Sequence, residues 1–112
     1  MRTLKDTEVN LSEEIIKELQ ALGRRYDLDK IVLFGSRAKR TNYERSDIDI
    51  SVSIKDVVAY TNFMEDLESL NTLLMIDVVN TESIAYSNSI KSEIEKDGVI
   101  IYEKVWTVKE TV

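Results

Sequence analysis

The 112 residues contain no cysteine and no histidine. Disulfides, thiolate catalysis, imidazole bases and the usual zinc sites are therefore excluded, and carboxylates are left as the principal metal ligands. Proline is also absent, which removes the sharpest punctuation for placing element boundaries. No apolar run approaches the ~20 residues needed to span a bilayer, and the opening MRTLKDTEVNLSEE lacks an apolar core of signal-peptide length. A cytoplasmic protein with no membrane partner is expected. Positive charge is in deficit too: a net charge of -6 argues against extended nucleic-acid binding, because phosphate contacts dominate that affinity. A local basic patch remains, since Arg37, Lys39, Arg40 and Arg45 crowd one short stretch. The plainer reading of those four is a solvated surface.

What is present suits one domain over residues 1–112, with 43% hydrophobic residues and no room for a second core. The informative stretch is KIVLFGSRAKRTNYERSDIDISVSI, Lys30 to Ile54. Ile31 to Phe34 is a β-branched and aromatic run, broken by Gly35-Ser36 ahead of a short helix through Ala38 and Lys39. Glycine lets a backbone approach a ligand closely, and free N–H groups at a helix start favour an anion, which outlines a phosphate site. From Asp47 to Ile54 the residues alternate strictly, so Asp47 and Asp49 project to one side of a strand, about 7 Å apart by strand rise. Two aspartates there repel each other unless a divalent cation lies between them. The alternative is a pair of solvated residues on an edge strand, just as Gly35 read alone is an ordinary turn glycine.

Gly35-Ser36, a ten-residue spacer and Asp47-Ile48-Asp49, preceded by a β run, resemble the signature of the DNA polymerase beta-like nucleotidyltransferases. The similarity is greatest to the minimal, single-domain type of prokaryotes, in the setting of HEPN/MNT toxin–antitoxin pairs. The resemblance implies that Asp47 and Asp49 hold two Mg2+ ions, with Mn2+ as a substitute. It further implies that Asp77, inside the apolar run LLMIDVV of Leu73 to Val79, completes the triad. Gly35 and Ser36 would hold the triphosphate, with Lys39 and Ser46 as weaker nucleotide contacts. One departure is Arg40, where many relatives have glycine, so the loop after the short helix is expected to run differently.

The remaining pattern supplies helices and one more strand. Ser12 to Tyr26 reads as a helix with Ile15, Ile16, Leu19 and Leu22 at helical spacing. A second opens at Lys55 or Asp56 and carries Val57, Tyr60, Phe63, Met64, Leu67 and Leu70. Thr81 to Lys96 reads as a third, stopped at Gly98, with Val99 to Tyr102 as an edge strand. The expected architecture is a small mixed α/β sheet with helices packed on one face and carboxylates on the other, the minimal nucleotidyltransferase (polymerase beta-like palm) fold.

Two functions of different class follow. The first is an enzyme moving AMP from ATP to a hydroxyl on a partner. The resemblance implies a second chain of HEPN or substrate-binding type, a tyrosine as favoured acceptor, and inactivation of a toxic ribonuclease as one outcome. The other is a binding module that holds such a helical partner without turnover. The third helix and the tail with Trp106 are the expected partner surface, Trp106 being either an anchor on the body or an interface residue; a homo-oligomer is left open.

Overall fold

The computed structural model describes residues 1–105, so Trp106 and the tail beyond it lie outside the described residues. In chain order these form β1 (Arg2–Thr3), α1 (Glu13–Arg25), β2 (Lys30–Phe34), α2 (Gly35–Lys39), β3 (Ile48–Val52), α3 (Val57–Glu68), β4 (Ile76–Asn80), α4 (Asn88–Asp97) and β5 (Val99–Glu103). The strands make one mixed sheet in the order β1-β5-β2-β3-β4. Pairing is antiparallel on both sides of β2 and parallel at β3-β4 and β1-β5. Among the described residues no helix is long and apolar enough to cross a membrane.

The helix α1 forms where the pattern places it. The Ser12 hydroxyl accepts the Ile15 N–H, Glu13 and Glu14 occupy the first turn, and Arg24 and Arg25 the last. Its end is a Schellman turn in which Asp27 takes a left-handed φ of 52°. The Leu28 N–H donates to the Gly23 carbonyl at 2.9 Å and the Asp27 N–H to that of Arg24 at 3.2 Å, which drops Leu28 into the core. The N-cap of α3 is Asp56, accepting from Ala59. Phe63 and Leu67 of α3 are buried, with Tyr26 set edge-on to Phe63 at 5.7 Å. Arg25 and Tyr26 both donate to Asp66, fastening the end of α1 to α3.

These two helices cover the sheet face that carries Ile31, Leu33, Ile48, Ile50 and Val52. One element departs from the expected layering. Helix α4 crosses the opposite face, where Ile94 packs with Val32 and Phe34. The cause is legible in β2, whose run is apolar on both sides and so needs cover on both.

Other boundaries differ from the expected ones for local reasons. The third helix starts at Asn88, capped by Ser87, and residues 81–87 are turns. There the Asn80 carboxamide oxygen accepts the Glu82 N–H and the Ser83 hydroxyl that of Ala85, bonds that compete with a helix. Strand β4 begins at Ile76, leaving Leu73 and Met75 exposed ahead of it. Val57 is exposed in the first turn of α3. Strand β5 is an interior strand, because the two residues of β1 pair along its outer side. Gly98 ends α4 in extended backbone, with φ at -64°. Its requirement is closeness: a Cβ there would meet the Ile94 carbonyl oxygen at 2.3 Å and Val32 Cγ1 at 2.8 Å.

Candidate active site

The site is built on the junction of β2, α2 and β3. At the end of β2, Gly35 turns the chain with a φ of 72°, a left-handed conformation that disfavours any side chain. A Cβ at Gly35 would also lie 2.4 Å from Oδ2 of Asp49. Glycine is thus demanded twice, once by the backbone and once by the carboxylate beneath it. Ser36 follows, half-buried in the first turn of α2.

Sheet register assembles the carboxylates. Asp49 is paired with Phe34 on its antiparallel side and with Asp77 on its parallel side. Directly opposed residues point to one face, so Asp49 and Asp77 stand side by side, and Asp47 precedes the strand at its mouth. The group is electrostatically crowded. Asp49 is pushed up to about 6, first by burial and then by the charges of Asp77, Asp47 and Glu93. Asp77 is raised by partial desolvation and then by the charge of Asp47 and a hydrogen bond with it.

Glu93 is a neighbour that the sequence does not announce. It lies on α4 between Ile90 and Ile94, and nothing in its own stretch tells that the helix crosses the carboxylate face. Arg37 corrects the expectation of a solvated surface or a phosphate contact. It is buried at 6% exposure, with Nε donating to the Ser46 carbonyl at 3.0 Å, Nη1 to that of Asn10 at 2.9 Å and Nη2 to that of Glu44 at 3.0 Å. A guanidinium can serve three acceptors in one plane, and here it clamps the loop that leads into Asp47.

The weaker nucleotide candidates are arranged differently. The Ser46 hydroxyl accepts the Tyr43 N–H at 2.8 Å, closing a turn just before Asp47. Lys39 is exposed at the end of α2. Arg40 takes the conformation that a glycine would take, left-handed with φ 62° and ψ 33°, and its N–H reaches the Ser36 carbonyl. The loop therefore starts as if glycine were present, at a backbone cost of about 1 kcal/mol. Its ion pair with Glu8 at 3.4 Å joins two exposed side chains and offsets little of that. Arg40→Gly is expected to raise stability by about 0.5–1 kcal/mol and the melting temperature by roughly 3–6 °C, measured by thermal denaturation.

Among the described residues no three such side chains are drawn close enough to enclose a cation by themselves. Asp47, Asp49 and Asp77 form an open oxygen face. Hard carboxylate oxygens suit Mg2+, which commonly keeps part of its shell for substrate phosphates, so an open donor set of this kind fits that ion. Beyond burial, Asp49 is raised by the charges of Asp77 and Asp47, and Asp77 by that of Asp47, and this repulsion is what a cation would relieve.

A mixed sheet with a glycine turn poised over paired carboxylates defines the palm type of nucleotidyl-transfer domain. The family described as Polymerase beta, Nucleotidyltransferase matches residues 7–105, and the chain belongs to it. It is a nucleotidyltransferase. It is similar to a Methanocaldococcus jannaschii protein that carries the provisional name protein adenylyltransferase, 33% identical over 106 residues that cover 90% of this chain and all of that one. A second protein of that organism, with the same provisional name, is 35% identical over 86 residues, 76% of this chain and 88% of its own. Among solved structures, one chain of a toxin–antitoxin complex with AMP-PNP shares the fold, with a TM-score of 0.60 at 24% identity, covering 85% of this chain and 75% of that one.

Proposed function

We propose that the protein transfers AMP from ATP to a hydroxyl of a partner protein. The observation that carries this reading is the packing of Gly35 against Asp49 and the register of Asp49 with Asp77, which bring a glycine turn and a carboxylate pair to one end of the sheet. The provisional names of the curated relatives support protein as the acceptor class. The toxin–antitoxin complexes among the structural neighbours support a second chain as its source.

In the reaction the acceptor oxygen bonds to the α-phosphorus, the bond from that phosphorus to the bridging oxygen breaks, and pyrophosphate leaves with the electron pair. Asp77, which stands on the edge strand β4, takes the proton of the attacking hydroxyl. Gly35 and Ser36 present N–H groups and a hydroxyl to the β and γ phosphates, holding the leaving group in line. Asp47, Asp49 and Asp77 would hold two Mg2+ ions, or Mn2+ in their place, which when bound would supply charge stabilisation on the attacking and departing oxygens. Lys39 would add a further phosphate contact, and Ser46 would do so through its hydroxyl proton, its oxygen being engaged by the Tyr43 N–H. A partner of HEPN type, inactivated as the toxin of a pair, completes this reading, and the protein would act in the cytoplasm.

The binding-module reading is favoured by one fact, that several of the structural neighbours are toxin–antitoxin structures. A single experiment separates the two. The protein is mixed with its co-purified partner, ATP and Mg2+, and the intact partner is weighed by mass spectrometry. One added AMP, lost with Asp47→Ala, is the expected result; a stable complex with unchanged mass would favour holding without turnover. Independently, ATP should bind at least roughly tenfold more tightly with Mg2+ than without it, because the open carboxylate face needs phosphate oxygens to complete the coordination. Calorimetry under both conditions checks this, and equal affinities would contradict the metal assignment.

A further inference from the structure

Strand β4 is the last strand on its side of the sheet, and its outer edge has no strand beside it among the described residues. The parallel ladder determines which peptide groups face outward. The Ile48 N–H donates to the Met75 carbonyl and the Thr81 N–H to the Val52 carbonyl. Residues 75, 77, 79 and 81 therefore turn their peptide groups towards β3, and Ile76 and Val78 turn theirs to solvent. Past them the edge closes, since the Asn80 carbonyl accepts the Ser83 N–H.

An open edge is normally blunted by charge, a bulge or a cover. Here the one charge on the strand is Asp77, and apolar side chains flank the edge, Leu73 and Met75 before the strand and Ile84 after it, all largely exposed. Beside it lies a groove of about 460 Å3, lined by Val79, Tyr86, Ile90 and Tyr60 among others. Val79 is two residues along β4 from Asp77 and shares its face. A strand added at this edge would run ~4.8 Å from β4, and its residue opposite Asp77 would point to the carboxylate face.

We infer that the acceptor hydroxyl arrives on an extended, basic peptide segment that adds as a sixth strand along the outer edge of β4, anchored by a side chain in the groove at Tyr86. This rests on the adenylyl-transfer reading and names how its substrate docks. Charge selects the occupant. A second copy of this chain pairing antiparallel about Val78 would bring two Asp77 carboxylates together, between chains of net charge -6 each. A segment flanked by lysine or arginine meets Asp77, Asp47 and Glu82 with the opposite sign, three carboxylates against the one cation, Lys55, that also lines the groove, and bound ATP adds negative charge of its own. Main-chain pairing supplies affinity and the groove supplies side-chain choice, as in other edge-strand recognition. The segment's hydroxyl loses its proton to Asp77, its oxygen bonds the α-phosphorus, and pyrophosphate departs with the electrons of the broken bond.

The test uses the full chain with Mg2+ and the non-transferable analogue α,β-methylene ATP. The probe is a fluorescein-labelled peptide of alternating valine and threonine with a central tyrosine and lysines at both ends, followed by anisotropy. Two matched peptides accompany it, one N-methylated on alternate backbone amides and one with glutamate for lysine. The lysine peptide should bind saturably, and each of the others roughly tenfold or more weakly, since one has lost its main-chain donors and the other its charge match. Val78→Pro should weaken the lysine peptide similarly. Its outward N–H is not in the β3 ladder, so the melting temperature should stay near the parent's. If that variant does not fold, the N-methylated comparison on the parent decides. Equal binding of the N-methylated peptide overturns the inference, as does absence of binding by the lysine peptide. A homodimer in sedimentation that the peptide cannot displace also overturns it, because a second copy would then hold the edge. Binding of the analogue is measured separately. Its loss with peptide binding intact would strike the adenylyl reading and leave the docking edge standing.

Discussion

Arg37→Met is expected to lower the melting temperature by about 15 °C, although the residue touches neither a carboxylate nor the glycine turn. Its guanidinium reaches three backbone carbonyls, of Ser46, Asn10 and Glu44, from a position 6% exposed. Hydrogen bonds from a charged donor contribute about 1.5–3 kcal/mol each, and water entering the loop would replace part of them, so a net loss of about 3 kcal/mol is reasonable. For a domain of this size each 1 kcal/mol moves the midpoint by about 4–8 °C. Arg37→Lys should be nearly as damaging, because a single ammonium cannot serve three divergent carbonyls. Thermal denaturation of both variants checks this. A midpoint within a few degrees of the parent would mean that the loop from Arg40 to Ser46 is held by its own turns.

Arg37 also shows where sequence reading stops. In its own stretch it is one of four cations, and composition offers no means of telling a buried one from a solvated one. What identifies it is the convergence of three carbonyls from two distant segments, a tertiary fact. Ser46 is similar: its hydroxyl is engaged with the Tyr43 N–H, a turn bond that no spacing rule announces.

The elements with strong periodicity were legible. Helix α1, with Ile15, Leu19 and Leu22 in one stripe and Ser12 at its cap, lies within a residue of its expected ends. The alternation around Asp49 set its face correctly, because a period of two leaves only one choice once Ile48 and Ile50 are buried. Less was legible where partners are remote. The two residues of β1 carry no pattern, so the interior place of β5 was hidden. Residues 81–87 have helical composition but short polar side chains that bond their own backbone, and turns won there. The proximity of Asp77 to Asp49 depends on a parallel register between strands that α3 separates in sequence, and the family resemblance supplied the reason to look for it.

Asp49→Asn is expected to raise the stability of the metal-free protein above neutral pH while reducing AMP transfer by about a thousandfold. Asp49, more enclosed than Asp77, carries the larger strain of uncompensated charge, its carboxyl standing at about 6 against an ordinary 3.8. A folded-state value above the unfolded one means that the group's stabilising contribution is full below about pH 4 and is lost as pH rises through about 6. Metal-free parent protein should therefore melt lower at pH 8 than at pH 5 on account of this residue. Asp66 pulls the other way, because its hydrogen bond from Tyr26 and its contacts with Arg25 hold it below the usual carboxylate range. It favours the fold above about pH 4 and lets go in acid. For Asp49 the step from 3.8 to about 6 corresponds to about 3 kcal/mol, and solvent screening at a half-buried carboxylate reduces this to about 1 kcal/mol. The amide keeps the shape and removes the charge, so the variant should gain about that much at pH 8 and show a flatter dependence between pH 5 and pH 8. Saturating Mg2+ with ATP should stabilise the parent and leave the variant nearly unmoved, since the variant lacks the ligand. Transfer falls because charge stabilisation of a phosphoryl transition state contributes several kcal/mol. Melting curves at pH 5 and 8, with and without Mg2+ and ATP, and AMP incorporation by mass spectrometry provide the measurements. A variant that melts below the parent at pH 8 would show that the Asp49 carboxylate has a structural counter-charge, and the open-face reading of the three aspartates would then fail.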